Sequence, residues 1–470
     1  MSSSRLQELQ RWTNQHVFSS SLDYWNQEQP VQPPNYGATT VADDVTTEQP
    51  TENGRHMETV VEEPPPEEHA ASSEKISALQ ASWNVTNAIQ GMFIVGLPIA
   101  VKVGGWWSIL AMIGVAYICY WTGVLLIDDR SSHMHELDYQ IADFYRPGFG
   151  KWVLSAQLIE LLSTCIIYLV LAADLLQSCF PSIDKAGWMM LVSASLMSCS
   201  FLDDLVIVSQ LSLFNAISHL IVNVIMLVYC LACFSDWSFS SVTFALNINT
   251  LPTMIGVVVF GYTSHIFLPS LEGNMKDPSQ FSAMLKWSHV AAAAFKVIFG
   301  LLGYLTFAEL TQQEISNSLP NQGFKTLVNL VLVVKALLSY PLPFYAAVQL
   351  IKHNLFRGYP ATPFTGCYSP DGSLREWALT LRIVLVLFTL FIALSVPYLI
   401  ELMGLIGNIT GTMLSFIWPA MFHLSIKGAV LVNRDKRFDQ FIIGLGSTIC
   451  ISGVYFSFME LLRAINADDN

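Results

Sequence analysis

Asn87-Ala-Ile-Gln-Gly-Met-Phe-Ile-Val-Gly-Leu-Pro98 and Val257-Val-Val-Phe-Gly-Tyr-Thr-Ser-His-Ile-Phe-Leu-Pro269 are hydrophobic stretches interrupted by glycine and closed by proline. Inside a membrane helix such breaks free backbone N–H and C=O groups. They are tolerated only where those groups face protein or a water-lined cavity. A single break reads as a kink that relieves packing. Here one opens each half of the hydrophobic region, and a matched pair points to a binding site between two structural repeats.

The surrounding chain supports that setting. It has 470 residues, of which 53% are hydrophobic and 13% charged, against about 25% charged in a typical soluble domain. Apolar stretches of about 20 residues, each long enough to cross the hydrocarbon of a lipid bilayer, recur along it. The expected fold class is an all-α polytopic membrane protein with about eleven spans. These fall at roughly 77–101, 106–127, 152–179, 187–202, 205–233, 250–272, 282–309, 323–352, 376–399, 400–426 and 438–464. Merging spans 4 and 5 across Asp203-Asp204, and 9 and 10 near Pro397, would leave nine. Spans 1–5 and 6–10 form two halves of five, each opened by a broken span. That is the pattern of a five-plus-five inverted repeat with span 11 added. The halves share no other sequence identity.

Residues 1–75 carry 13 acidic and 4 basic side chains, so most of the net charge of −13 lies there. This segment cannot bury enough apolar surface to fold alone and is expected to be a disordered acidic tail. Residues 76–464 would form the transmembrane domain and 465–470 a short lumenal C-terminus. With the tail in the cytosol, twelve Lys/Arg fall in cytosolic loops and four on the opposite side, as the positive-inside rule requires. No signal peptide precedes span 1, which would itself serve as the targeting signal. The eight cysteines lie mostly in spans. Cys179 and Cys233 fall near one membrane face, but a bridge is not expected. The sequons at Asn84 and Asn408 lie inside spans, where glycosylation is not expected. No basic surface suits nucleic acid.

At the first break, Gln90, Gly91, Met92 and Gly96 would expose backbone N–H groups at the positive end of a helical stub. That arrangement suits a substrate carboxylate. At the second, Gly261, Tyr262, Thr263 and Ser264, followed by His265, offer hydroxyls, an imidazole and free carbonyls. These suit an ammonium group or a proton. Glu160 sits well inside span 3, where a carboxylate costs about 2.5–3.5 kcal/mol to insert. It shares a helical face with Gln157, Thr164 and Tyr168, which therefore looks inward. It is either a carrier of the coupling proton or half of a structural ion pair with a buried lysine.

Lys335 lies near the centre of span 8, followed by its own break at Ser339-Tyr-Pro-Leu-Pro343. It ranks above Lys296 of span 7 as a functional cation. It can pair with Glu160, or stand where sodium-driven relatives bind their ion. Arg382 is nearer a span end and is expected to snorkel. Ser212, Asn215, His219 and Asn223 line one face of span 5. Interhelical hydrogen bonding accounts for Ser212 and Asn223, while His219 remains a candidate proton group. Gly404, Gly407 and Gly411 in span 10 are explained by close helix packing. His133, His135, Glu136 and Asp138 in the 128–151 loop match no strong metal spacing. Phosphate-binding loops, nucleophile elbows and Cys-x-x-Cys pairs are absent, so neither an enzyme nor an ATP-driven pump is expected, and no cofactor or metal. Transport would draw on an ion gradient.

Four runs together resemble the amino acid/auxin permease family across about residues 77–464. They are Asn87–Pro98, Phe267-Leu-Pro-Ser-Leu-Glu-Gly-Asn-Met275, Lys335-Ala-Leu-Leu-Ser-Tyr-Pro-Leu-Pro-Phe344 and Cys367-Tyr-Ser-Pro-Asp-Gly372. The resemblance implies a LeuT-type fold and exchange of small neutral amino acids, GABA and glycine, for lumenal protons. The setting it implies is the synaptic vesicle membrane, with a separate proton pump maintaining the gradient. It puts the N-terminal tail in the cytosol, open to sorting proteins, although the tail carries no clean sorting signal. Spans 1, 2, 6 and 7 would rock against the rest. The proton-coupling roles of Glu160, Lys335 and His219 come from buried charge, not from the resemblance. Two alternatives stand: a plasma-membrane or lysosomal symporter of the same family, and an amino acid sensor. The sensor is disfavoured because the only large cytosolic segment is the acidic tail.

Overall fold

A computed structural model describes residues 77–89, 91–132, 142, 145–201, 205–244, 247–273, 275–355 and 376–468. The acidic tail, Gln90, the 133–138 cluster and the Cys367–Gly372 run lie outside the described residues.

Helices occupy all eleven expected positions. Span 1 is Ala78–Ile89, a 3₁₀ segment Met92–Gly96, and Leu97–Gly104. Pro98 sits in the first turn of that last helix, where its missing N–H removes no hydrogen bond. Span 2 is Trp106–Ser132 and span 3 Gly150–Cys179. Span 4 is the short helix Lys185–Leu196, N-capped by the Asp184 side chain and extended by a 3₁₀ turn to Phe201. Span 5 is Leu205–Ala232. Span 6 runs Leu251–Phe260, loses helical form over 261–264, and resumes through His265–Phe267 into Leu268–Gly273. Span 7 is Phe281–Phe307. Span 8 divides at Pro341 into Gln322–Ser339 and Pro341–Leu355. Span 9 is Glu376–Ser395, and Val396-Pro397-Tyr398 separates it from span 10. Span 10 is Leu399–Ile406, two π turns over Gly407–Gly411 and Met413–Ile417, and Trp418–Lys427. Span 11, Asn433–Asp468, continues four residues past its expected end.

Among the described residues, seven helices are long and apolar enough to cross a membrane. Phe93–Gly104, Ser218–Ala232 and Leu379–Ser395 are shorter apolar helices. The contacts repeat between the two halves. Spans 1 and 6, 2 and 7, 3 and 8, and 4 and 9 pack on one another. The pairing of span 7 with span 1 is matched by span 2 with span 6, and that of 10 with 3 by 5 with 8. Because each half holds an odd number of spans, equivalent spans run in opposite directions. This is the LeuT-type five-plus-five inverted repeat.

Spans 3 and 10 are central, with 72% of their most apolar windows buried, whereas span 11, with 28%, is the least buried of the seven. Outward faces are apolar, as at Leu220, Val224 and Val228 of span 5 and Val384, Leu387 and Phe391 of span 9. The span 10 glycines serve close packing, as expected. A Cβ on Gly407 would collide with the Gly256 carbonyl of span 6, and one on Gly256 with the Gly404 carbonyl and the Asn408 side chain. Gly453 of span 11 leaves room for Asn408. The Asn408 amide donates to the Pro252 carbonyl at 3.0 Å and the Ser457 hydroxyl at 3.1 Å. Cys179 and Cys233 are free thiols.

Candidate functional site

The two breaks meet. Phe93, in the first, stacks on Tyr168 of span 3 with ring centroids 5.2 Å apart, and meets Phe260, the last helical residue before the second, edge-on at 4.9 Å. Gly91 precedes the 3₁₀ segment without a side-chain cap, and Met92 begins it. Gly96 is buried, 3.4 Å by a notional Cβ from Ile400 and 3.7 Å from the Gln313 carbonyl. First-turn N–H groups have no intrahelical partner, so this stretch can still receive a carboxylate.

At the second break Tyr262 and Ser264 are each 1% exposed, and neither hydroxyl has a hydrogen-bond partner. Thr263 differs, because its hydroxyl donates to the Val259 carbonyl one turn back at 3.1 Å. His265 Nε2 lies 3.0 Å from the Thr122 hydroxyl of span 2. The Gly261 carbonyl, freed by the break, accepts from Lys296 Nζ of span 7. The same ammonium lies over the Tyr262 ring, 3.8 Å from its centroid. Lys296, ranked below Lys335 from sequence, is thus the cation at the unwound backbone. Its position also disfavours a substrate ammonium at the Gly261 carbonyl.

Glu160 is buried, as are Gln157 and Tyr168 on its face. Its carboxylate accepts from Thr410, in the first π turn of span 10. The expected pairing of Glu160 with Lys335 is not formed. Lys335 is instead hydrogen-bonded to His219 Nδ1 of span 5, whose Nε2 is 2.9 Å from the Asn223 amide. Lys335 faces span 5 and Glu160 faces span 10, so each meets a different helix. Tyr168 bridges toward span 8 through a hydrogen bond with Ser339. Arg382 does not snorkel. It is 2% exposed and directs its guanidinium at the Ser200 carbonyl of span 4, 3.4 Å away. Among the described residues no group of three or more His, Cys, Asp or Glu is placed to hold a metal ion.

Thr410 and Phe93 were not recognised as site residues in the sequence. Thr410 lies among glycines that packing alone explains. Phe93 is one apolar residue among many, and only its position between the two glycines of the first break marks it.

A family profile described as "Transmembrane amino acid transporter protein" matches residues 74–459. The chain belongs to this family. Its members transport amino acids and are not enzymes. This transporter is 70% identical, over the full length of both chains, to a Caenorhabditis elegans protein named "Vesicular GABA transporter". It is 41% identical to the human "Vesicular inhibitory amino acid transporter", over 84% of this chain and 78% of that one. A solved structure titled "Inward facing conformation of Mhp1" aligns at 13% identity and a TM-score of 0.47, covering 84% of this chain and 92% of that chain.

Proposed function

We propose that this transporter is a proton-coupled antiporter that loads GABA, and glycine with it, into synaptic vesicles. The substrate and compartment are supported by the names of relatives that match most or all of the chain. The observation that carries the coupling is Glu160. It is a buried carboxyl held by Thr410 in central span 10, on the same face as Tyr168, which stacks on the first break. A proton arriving there breaks or redirects the Thr410 bond, linking the proton to the geometry around the breaks. The carboxylate end of the substrate lies against the N–H groups from Gly91 to Gly96. Tyr262 and Ser264 present their unpartnered hydroxyls to it, with Lys296 holding the Gly261 carbonyl in place of a metal cation. Lys335 and His219 form a second buried proton-sharing pair between spans 8 and 5. A separate proton pump supplies the gradient, and the N-terminal tail is cytosolic, where sorting proteins would bind it.

The test is uptake into liposomes containing the purified chain, with pH difference and membrane potential imposed separately. An acid lumen is expected to drive GABA accumulation without sodium. Accumulation driven by an acid exterior instead would make the protein a symporter. Binding without accumulation would make it a sensor.

A further inference from the structure

At the span ends that charge bias assigns to the lumen, a second buried ionisable cluster lies apart from Glu160. Lys185, at the start of span 4, is 2.6 Å from one oxygen of Asp174 in span 3 and 2.5 Å from the Pro397 carbonyl before span 10. The other Asp174 oxygen is buried without a partner. Glu314, on the loop between spans 7 and 8, is 4% exposed. One of its oxygens accepts from Asn317 at 2.9 Å, and Asn317 in turn accepts from Asn329 of span 8 at 2.7 Å. Its second oxygen is buried and unpartnered, as is one oxygen of Glu401 in the first turn of span 10.

One lysine therefore serves three carboxyl groups. The other charges nearby do not relieve Glu314. Arg463 of span 11 acts on its own neighbour Glu460, as does Glu401, and Lys102 is engaged with Glu309 and the Thr311 carbonyl. Burial, and then the Asp174 carboxylate, raise the Glu314 carboxyl to about 7, with Lys185 acting the other way. The loop itself rests on the first break. Its Ile315–Ser318 turn packs on Met92–Gly96, and the Gln313 carbonyl lies beside Gly96.

We propose that Glu314 is a proton-binding site separate from Glu160, whose proton latches the 311–321 loop over the first break and whose loss releases it. The proton comes from the lumen and returns to it, so the site senses lumenal acidity rather than carrying the coupled proton. The inference rests on the antiport reading, because only an acidified compartment would give such a latch its work. The sign follows from linkage. An acid raised from 4.5 to about 7 in the docked loop binds more protons there than in the released loop. Docking is therefore strongest below about 4.5 and weakens as pH rises through about 7.

Hydrogen exchange of the full chain in lipid nanodiscs, followed on peptides spanning 311–321 and corrected for intrinsic exchange, reads this directly. Protection is expected to fall toward about tenfold per pH unit between pH 5 and 7, the limit for one linked proton, and to level off above. Glu314→Gln should stay protected throughout. Asp174→Asn, which removes the opposing charge and frees Lys185, should move the levelling point to lower pH by about one unit. A flat wild-type profile overturns the latch, and so does an unchanged fall in Glu314→Gln or an unmoved profile in Asp174→Asn. Proton-driven uptake by the same preparations separates the two ideas. Missing uptake in the wild type sinks the antiport reading, while intact uptake with flat exchange sinks the latch alone.

Discussion

Replacing Lys296 by methionine keeps most of the side-chain volume and removes the ammonium. Lys296 donates to the Gly261 carbonyl and lies over the Tyr262 ring. Without a donor, a buried carbonyl is left unpaired at about 1–3 kcal/mol. Loss of the cation–π contact adds about 0.5–2 kcal/mol. Near the low end of both ranges, about 2 kcal/mol ceases to hold the second break in this form. At tenfold per 1.4 kcal/mol, that is roughly a thirtyfold fall in the competent population. Global stability moves the other way, because burying a lysine carries a desolvation penalty of several kcal/mol that methionine escapes. The expected signature is a split: GABA uptake in liposomes falls at least tenfold, while the melting temperature in detergent holds or rises. Unaltered transport kinetics in Lys296→Met would refute the reasoning. A joint collapse of melting temperature and uptake would show the ammonium to be structural only.

Glu160→Gln keeps the Thr410 contact but removes the exchangeable proton. Gradient-driven uptake should vanish while substrate exchange at equal pH persists, measured by counterflow of labelled GABA. Tyr262→Phe and Ser264→Ala delete hydroxyls that have no protein partner, so melting should be unchanged or slightly higher. If they bind substrate, apparent affinity should drop about tenfold, the worth of a hydrogen bond of about 1.4 kcal/mol; unchanged affinity removes them from the site. Gly407→Ala drives a methyl into the Gly256 carbonyl and should destabilise by about 1–3 kcal/mol, read as a lower melting temperature and yield.

The spans and the two breaks were legible because they are local. Glycine and proline mark where a helix fails, and hydropathy marks where one crosses lipid. Glu160 was legible for the same reason, since Gln157, Thr164 and Tyr168 recur at helical spacing on its face. Partnerships were not. Lys296 and Lys335 look alike in sequence, each a lysine amid apolar residues, and only the three-dimensional placement of span 7 beside the break in span 6 and of span 8 against span 5 sends one to Gly261 and the other to His219. The span 10 π turns left no mark beyond glycines, so Thr410 stayed hidden. Arg382 sits near a span end, and burial under span 4 is a tertiary fact. Nothing in the sequence around Glu314 singles it out, because nothing local announces that a loop is covered.

The glycine-lined crossing of spans 6, 10 and 11 limits how the molecule can alternate. Main chain rests on main chain at Gly256 and Gly407, and Asn408 is pinned between Pro252 and Ser457. No side-chain cushion is left there to absorb sliding, so residues 251–260 cannot shift without dragging span 10 along. Any movement of one end of span 6 against the other would therefore have to bend at 261–264, the non-helical stretch where Lys296 donates to the Gly261 carbonyl.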